Sequence, residues 1–62
     1  MQMNIVKVSN DLYYVHTELT TYEIQKTGSV FFLNELQEPC YDRSLKGIYT
    51  SIGACLEVIA MI

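Results

Sequence analysis

Two clusters of turn-forming residues constrain this chain most: Ser9–Asn10–Asp11 and Thr27–Gly28–Ser29. Ser, Asn and Asp side chains bond the local backbone, and Gly accepts conformations closed to other residues, so both clusters favour chain reversal. Each cluster separates two apolar-rich runs. A third break, QEPCYD at 37–42, divides these runs from the C-terminal segment.

The runs between the breaks read as strands. MNIVKV (3–8) is short, apolar and partly β-branched. LYYVHTEL (12–19) is rich in Tyr and Val, which suit a pleated surface. Alternation puts Tyr13, Val15, Thr17 and Leu19 on one face, and Leu12, Tyr14, His16 and Glu18 on the other. A hairpin through Asn10–Asp11 joins the two runs. In SVFFLNEL (29–36), Val30, Phe32, Asn34 and Leu36 share a face, with Phe31, Leu33 and Glu35 opposite. The run Phe31–Phe32–Leu33 is apolar on both sides, as befits a strand in the middle of a sheet. Two conformations fit residues 20–28. As a strand, the favoured reading, Tyr22 and Ile24 align. As a short helix, Thr20 and Glu23 form a capping box and Gly28 closes the end.

The last stretch, SLKGIYTSIGACLEVIAMI (44–62), has apolar residues at Leu45, Ile48, Tyr49, Ile52, Cys55, Leu56 and Ile59. Steps of three and four predict one amphipathic helix, capped by Ser44 or Asp42. Val58 and Met61 fall outside the core stripe, so the final turn is apolar all round.

With 62 residues, one domain (1–62) is expected. A chain of this size buries only about 60% of its unfolded surface, and self-association is one remedy for so small a core. The expected fold class is α+β: a small antiparallel sheet of three or four strands, with one C-terminal helix packed on one face. Core candidates are Ile5, Val8, Tyr13, Val15, Ile24, Phe32, Leu45, Ile48, Ile52, Leu56 and Ile59.

The chemistry-bearing residues make a poor case for catalysis. His16 is the sole histidine, with Glu18 on the same strand face; a surface His beside a surface Glu explains the pair more simply than a general base does. Cys40 and Cys55 have no C-x-x-C spacing and no second His, which argues against a metal site. Glu38 and Asp42 flank Cys40 and disfavour a thiolate. Cys55 lies on the apolar stripe. No phosphate-binding glycine pattern is present. The expectation is therefore no enzyme, no cofactor and no metal.

The net charge is −3, with only Lys7, Lys26, Arg43 and Lys46 as cations. That is thin for nucleic acid, whose binding rests on several phosphate contacts. A nucleic-acid-binding sheet domain of a transcriptional or recombination regulator stands as the alternative function. Six of seven carboxylates lie between residues 11 and 42 (Asp11, Glu18, Glu23, Glu35, Glu38 and Asp42). They suit a partner protein with a basic surface. No signal-peptide pattern opens the chain and no apolar run spans a bilayer, so a cytoplasmic protein with reduced thiols and no membrane association is expected.

Tyr-rich hairpins followed by one amphipathic helix are similar in layout to small phage and mobile-element proteins. That layout implies a non-enzymatic inhibitor of a host protein, with defence machinery such as a CRISPR effector as one target. The expected partner-binding residues are Glu18, Tyr22, Glu23, Glu35, Val58 and Met61. A homodimer is the other expected use of the apolar end.

Overall fold

The computed structural model describes residues 2–37 and 42–61. Five strands, β1 (Met3–Ser9), β2 (Leu12–Thr17), β3 (Thr21–Thr27), β4 (Val30–Gln37) and β5 (Asp42–Tyr49), precede one helix, α1 (Ile52–Met61). The sheet order is β1-β2-β3-β4-β5, with every neighbouring pair antiparallel. The α+β class holds. The sheet has five strands rather than three or four.

Local chemistry sets the reversals. Ser9 pairs with Leu12 across Asn10–Asp11, and the Asp11 amide donates to Ser9 Oγ (3.2 Å). The Asp11 carbonyl accepts from the Lys26 amide (2.8 Å), tying this hairpin to β3. Between β2 and β3 the Thr17 hydroxyl accepts from the Leu19 and Thr20 amides and donates to the Thr20 carbonyl. Thr21–Thr27 is a strand, not the short helix. Gly28 then turns the chain into β4 with φ of 62°, where a Cβ is disfavoured. The expected break at 37–42 lies largely outside the described residues, as do Glu38 and Cys40.

The helix begins later than its periodicity predicts. Residues 42–49 form β5, and Ser51, not Ser44 or Asp42, caps α1: its Oγ accepts the Ala54 amide at 3.1 Å. The cause is a bulge. The β4–β5 register slips between Leu33↔Gly47 and Asn34↔Leu45, so Lys46 is an extra residue. An inserted residue puts Leu45 and Ile48, three apart, on one sheet face. In an unbulged strand they would point opposite ways; in a helix they would align. The bulge therefore mimics the helical signal. Gly47 belongs to the same device: a Cβ there would lie 2.7 Å from Tyr49 Cε2, so only Gly lets this ring lie across the strand.

The core lies between α1 and one face of the sheet. It comprises Val15, Tyr22, Ile24, Leu33, Cys55 and Ile59, with Met3, Tyr13, Phe31, Tyr49, Ile52, Leu56 and Val58 packed around it. Of the expected core residues, Val15, Ile24 and Ile59 are buried and Tyr13, Ile52 and Leu56 are partly buried. Ile5, Val8, Leu45 and Ile48 are exposed instead. Phe32 is half-buried on the other face, since Leu33 and Phe31 point to the helix. The helix lies nearest β4 and β5; on β1 only Met3 is partly buried against the core, and the rest of that strand is exposed.

Candidate functional site

Directly paired residues of an antiparallel sheet share a face. The registers therefore define two surfaces. One carries the rows Ile5–Val15–Tyr22–Glu35 and Lys7–Tyr13–Ile24–Leu33–Gly47, and packs under α1. The other carries Val6–Tyr14–Glu23–Asn34–Leu45, Leu12–Gln25–Phe32–Ile48 and His16–Thr21–Leu36–Arg43. No described element covers this second, open face.

A carboxylate is buried at its centre. Glu23 is 1% exposed. Arg43 grips it with a fork: Nε donates to Oε1 at 2.7 Å and Nη2 to Oε2 at 3.3 Å. Asn34 Nδ2 and the Tyr14 hydroxyl each donate at 3.4 Å. Charge-assisted, bidentate bonds of this kind offset the cost of taking a carboxylate out of water. The Glu23 hydrogen bonds and charge raise the Arg43 pKa above its ordinary value, so the guanidinium stays charged. β3 supplies the acid, β5 the base, and β2 and β4 the flanking donors.

Around this pair the face carries exposed apolar side chains alongside the polar Thr21, Gln25 and His16. Leu45 is 57% exposed, Ile48 54% and Val6 41%. Leu12, Tyr14, Phe32 and Leu36 are half-buried beside them.

The six expected partner-binding residues do not share one surface. Glu18 is exposed at the β2–β3 turn, where its Oε1 accepts the Gln2 amide (3.1 Å). Tyr22 is in the core under the helix; burial and the nearby Glu35 raise the pKa of its hydroxyl, against Lys46. Glu23 is sealed on the open face. Glu35 pairs with Lys46 at 3.3 Å. Val58 packs beside the core, and Met61 is 86% exposed at the helix end. The open face adds Leu45, Ile48, Val6, Tyr14 and Arg43 to the candidates. Leu45 and Ile48 were hidden by the helical reading. The alternation that puts Tyr14 opposite Val15 was the available signal for this face.

His16 and Glu18 do not engage each other: the ring Nδ1 shares a hydrogen bond with Thr21 Oγ1 (3.1 Å), while Glu18 holds Gln2. Cys55 is buried, and that burial raises its thiol pKa, away from a nucleophilic thiolate. Among the described residues no helix is long and apolar enough to cross a membrane. Comparison with family models, curated proteins and solved structures returned no match for this chain.

Proposed function

We propose that this chain is a non-enzymatic protein-binding module that docks through the open face of its sheet. The observation that carries the reading is the exposure of Leu45, Ile48 and Val6 around the sealed Glu23–Arg43 pair. Exposed apolar clusters framed by polar residues are typical of docking surfaces. The pair gives the patch a buried carboxylate beneath an Arg whose side chain is 60% exposed, and Arg is enriched at interface hot spots.

Charge narrows the partner to a protein with an apolar patch rimmed by Lys or Arg. Asp11, Glu18 and Asp42 are exposed at the ends of the sheet. Arg43 and Lys46 are paired with Glu23 and Glu35, and Lys7 and Lys26 sit on helix-side rows. The open face thus offers no uncommitted cation for phosphates, which disfavours base stacking on Tyr14 or Phe32. A surface that binds and masks, without chemistry, is what a small phage-type inhibitor of a host protein needs, defence machinery included.

The test is capture followed by reconstitution. Wild type, Ile48→Lys and Met61→Asp, each checked for wild-type circular dichroism, are used as bait. The expected result is one protein held by wild type and Met61→Asp and lost with Ile48→Lys, with the same ranking in calorimetry of the purified pair. Equal retention by Ile48→Lys, or retention of nucleic acid alone, overturns the reading.

A further inference from the structure

We infer that the β1 edge pairs with β1 of a second copy, joining two sheets into one of ten strands. This inference is separable from the docking surface, because it uses the backbone edge and shares only Val6 with the open-face patch. β1 is the terminal strand of the order, so among the described residues one side of its backbone has no strand beside it. Six of its seven residues are exposed, and Ile5 (46%) and Val6 (41%) leave both its faces apolar and open. The helix lies nearest β4 and β5, and of β1 only Met3 packs against the core beneath it.

The opposite edge is built differently. β5 carries Asp42, Arg43 and Lys46 and is bulged at Lys46, the features that discourage edge-to-edge pairing. β1 carries one charge, Lys7, and its register with β2 is regular from Met3 to Lys7 before the slip that leads to Ser9. An unshielded regular edge is a template for another strand. A strand of the same sequence satisfies it by antiparallel pairing about a two-fold axis, which makes a closed, isologous contact.

Charge selects the register. With the axis at Ile5, Ile5 faces Ile5, Asn4 faces Val6, and Met3 faces Lys7 of the second copy. Lys7 then faces Met3, one residue from Gln2, whose amide donates to the Glu18 carboxylate at 3.1 Å, within reach of the long lysine side chain across the end of β1. An open groove lined by Gln2, Met3, Asn4, His16, Thr17 and Glu18 lies beside this carboxylate, where β1 begins and β2 ends. The symmetry makes two Lys7–Glu18 pairs. The two Lys7 residues stand four positions apart along the strands, about 13 Å at the usual rise, beyond the screening length of about 8 Å at physiological salt. Moving the axis to Val6 would bring the lysines two positions apart and carry them away from Glu18.

In this arrangement both helices lie on one side of the joined sheet and both open faces on the other. The contact is a strand edge with few side chains, so it belongs with small, reversible interfaces.

The experiment is sedimentation equilibrium over a concentration series at low and physiological salt. The expected result is a monomer–dimer equilibrium for wild type. Lys7→Glu should weaken it by about tenfold, most at low salt, and the swap Lys7→Glu with Glu18→Lys should recover most of the loss. The monomer fold of each variant is checked by circular dichroism, and amide exchange in wild type should slow at Met3–Lys7 as concentration rises. A chain that stays monomeric at millimolar concentration overturns the inference. So does a dimer that ignores Lys7→Glu, one that the charge swap does not recover, or one that is broken by Ile48→Lys instead.

Discussion

On the helix side of the sheet, the row Tyr13–Ile24–Leu33–Gly47 keeps Ile24 and Leu33 at 0% exposure, because α1 lays Cys55 and Ile59 over them. On the other side, one residue along, the row Tyr14–Glu23–Asn34–Leu45 holds a carboxylate at 1% exposure with no second layer above it. The same five strands thus bury their centre in two ways. The first removes apolar surface from water, which needs another element to pack against. The second closes four hydrogen bonds around an anion, using only side chains of the sheet. The lesson is that an uncovered face need not have a wet centre. It can present a dry, polar-sealed middle with apolar flanks, and such a face is ready for a partner in a way that a fully polar one is not.

The covered face should be the fragile one. Leu33→Ala removes a fully enclosed side chain from beneath the helix and should cost about 3 kcal/mol in a urea melt. A domain of 62 residues has only about 3–9 kcal/mol in total. The urea midpoint should therefore fall steeply, and a variant as stable as wild type would mean that the helix does not hold this face.

Glu23→Ala tests the sealed centre. It leaves Asn34 and Tyr14 without their acceptor, while the largely exposed Arg43 regains water. The expected loss is about 1–3 kcal/mol, below that of Leu33→Ala, with the helix retained. A gain in stability would instead mean that the network costs more than it contributes.

Alkali should act on the covered face. Burial raises the pKa of both Tyr22, from an ordinary 10.0, and Cys55, from 9.0. A raised folded-state pKa gives stability that is fully present below the unfolded value and is lost as pH climbs through the folded one. Denaturant midpoints should hold to about pH 9 and fall above it. The fall should flatten in Tyr22→Phe and shift in Cys55→Ala. An unchanged profile in both variants would assign alkaline unfolding elsewhere.

The smallest effect belongs to the open face. Ile48→Thr keeps β-branching at a position that is more than half exposed, so its midpoint should stay within about 0.5 kcal/mol of wild type. A loss comparable to that of Leu33→Ala would show Ile48 to be a core residue and end the contrast between the faces.

Much of the first four strands was legible from local chemistry. Asn10–Asp11 and Thr27–Gly28–Ser29 mark the hairpins, and alternation puts Tyr13 with Val15 and Tyr22 with Ile24 on common faces. It also splits Phe32 from Leu33, but not which of the two meets the helix, because both sides of that run are apolar. Of the candidate site, the Tyr14 side of β2 and the Glu23 side of β3 were readable as faces. Their meeting with Asn34 and Arg43 was not, because it depends on the pairing of four strands.

By itself, then, the sequence determined turns, alternation and a small acidic fold of the α+β class, since these follow from interactions among near neighbours in the chain. Tertiary structure alone decided three things: that residues 42–49 are a strand, that α1 covers the Leu33 face, and that Glu23 is buried with Arg43. The reason is physical. A bulge at Lys46 gives a strand the three-residue spacing of a helix, and only pairing with β4 distinguishes the two. A carboxylate 20 residues from its guanidinium is a surface charge in the chain and a buried anchor in the fold.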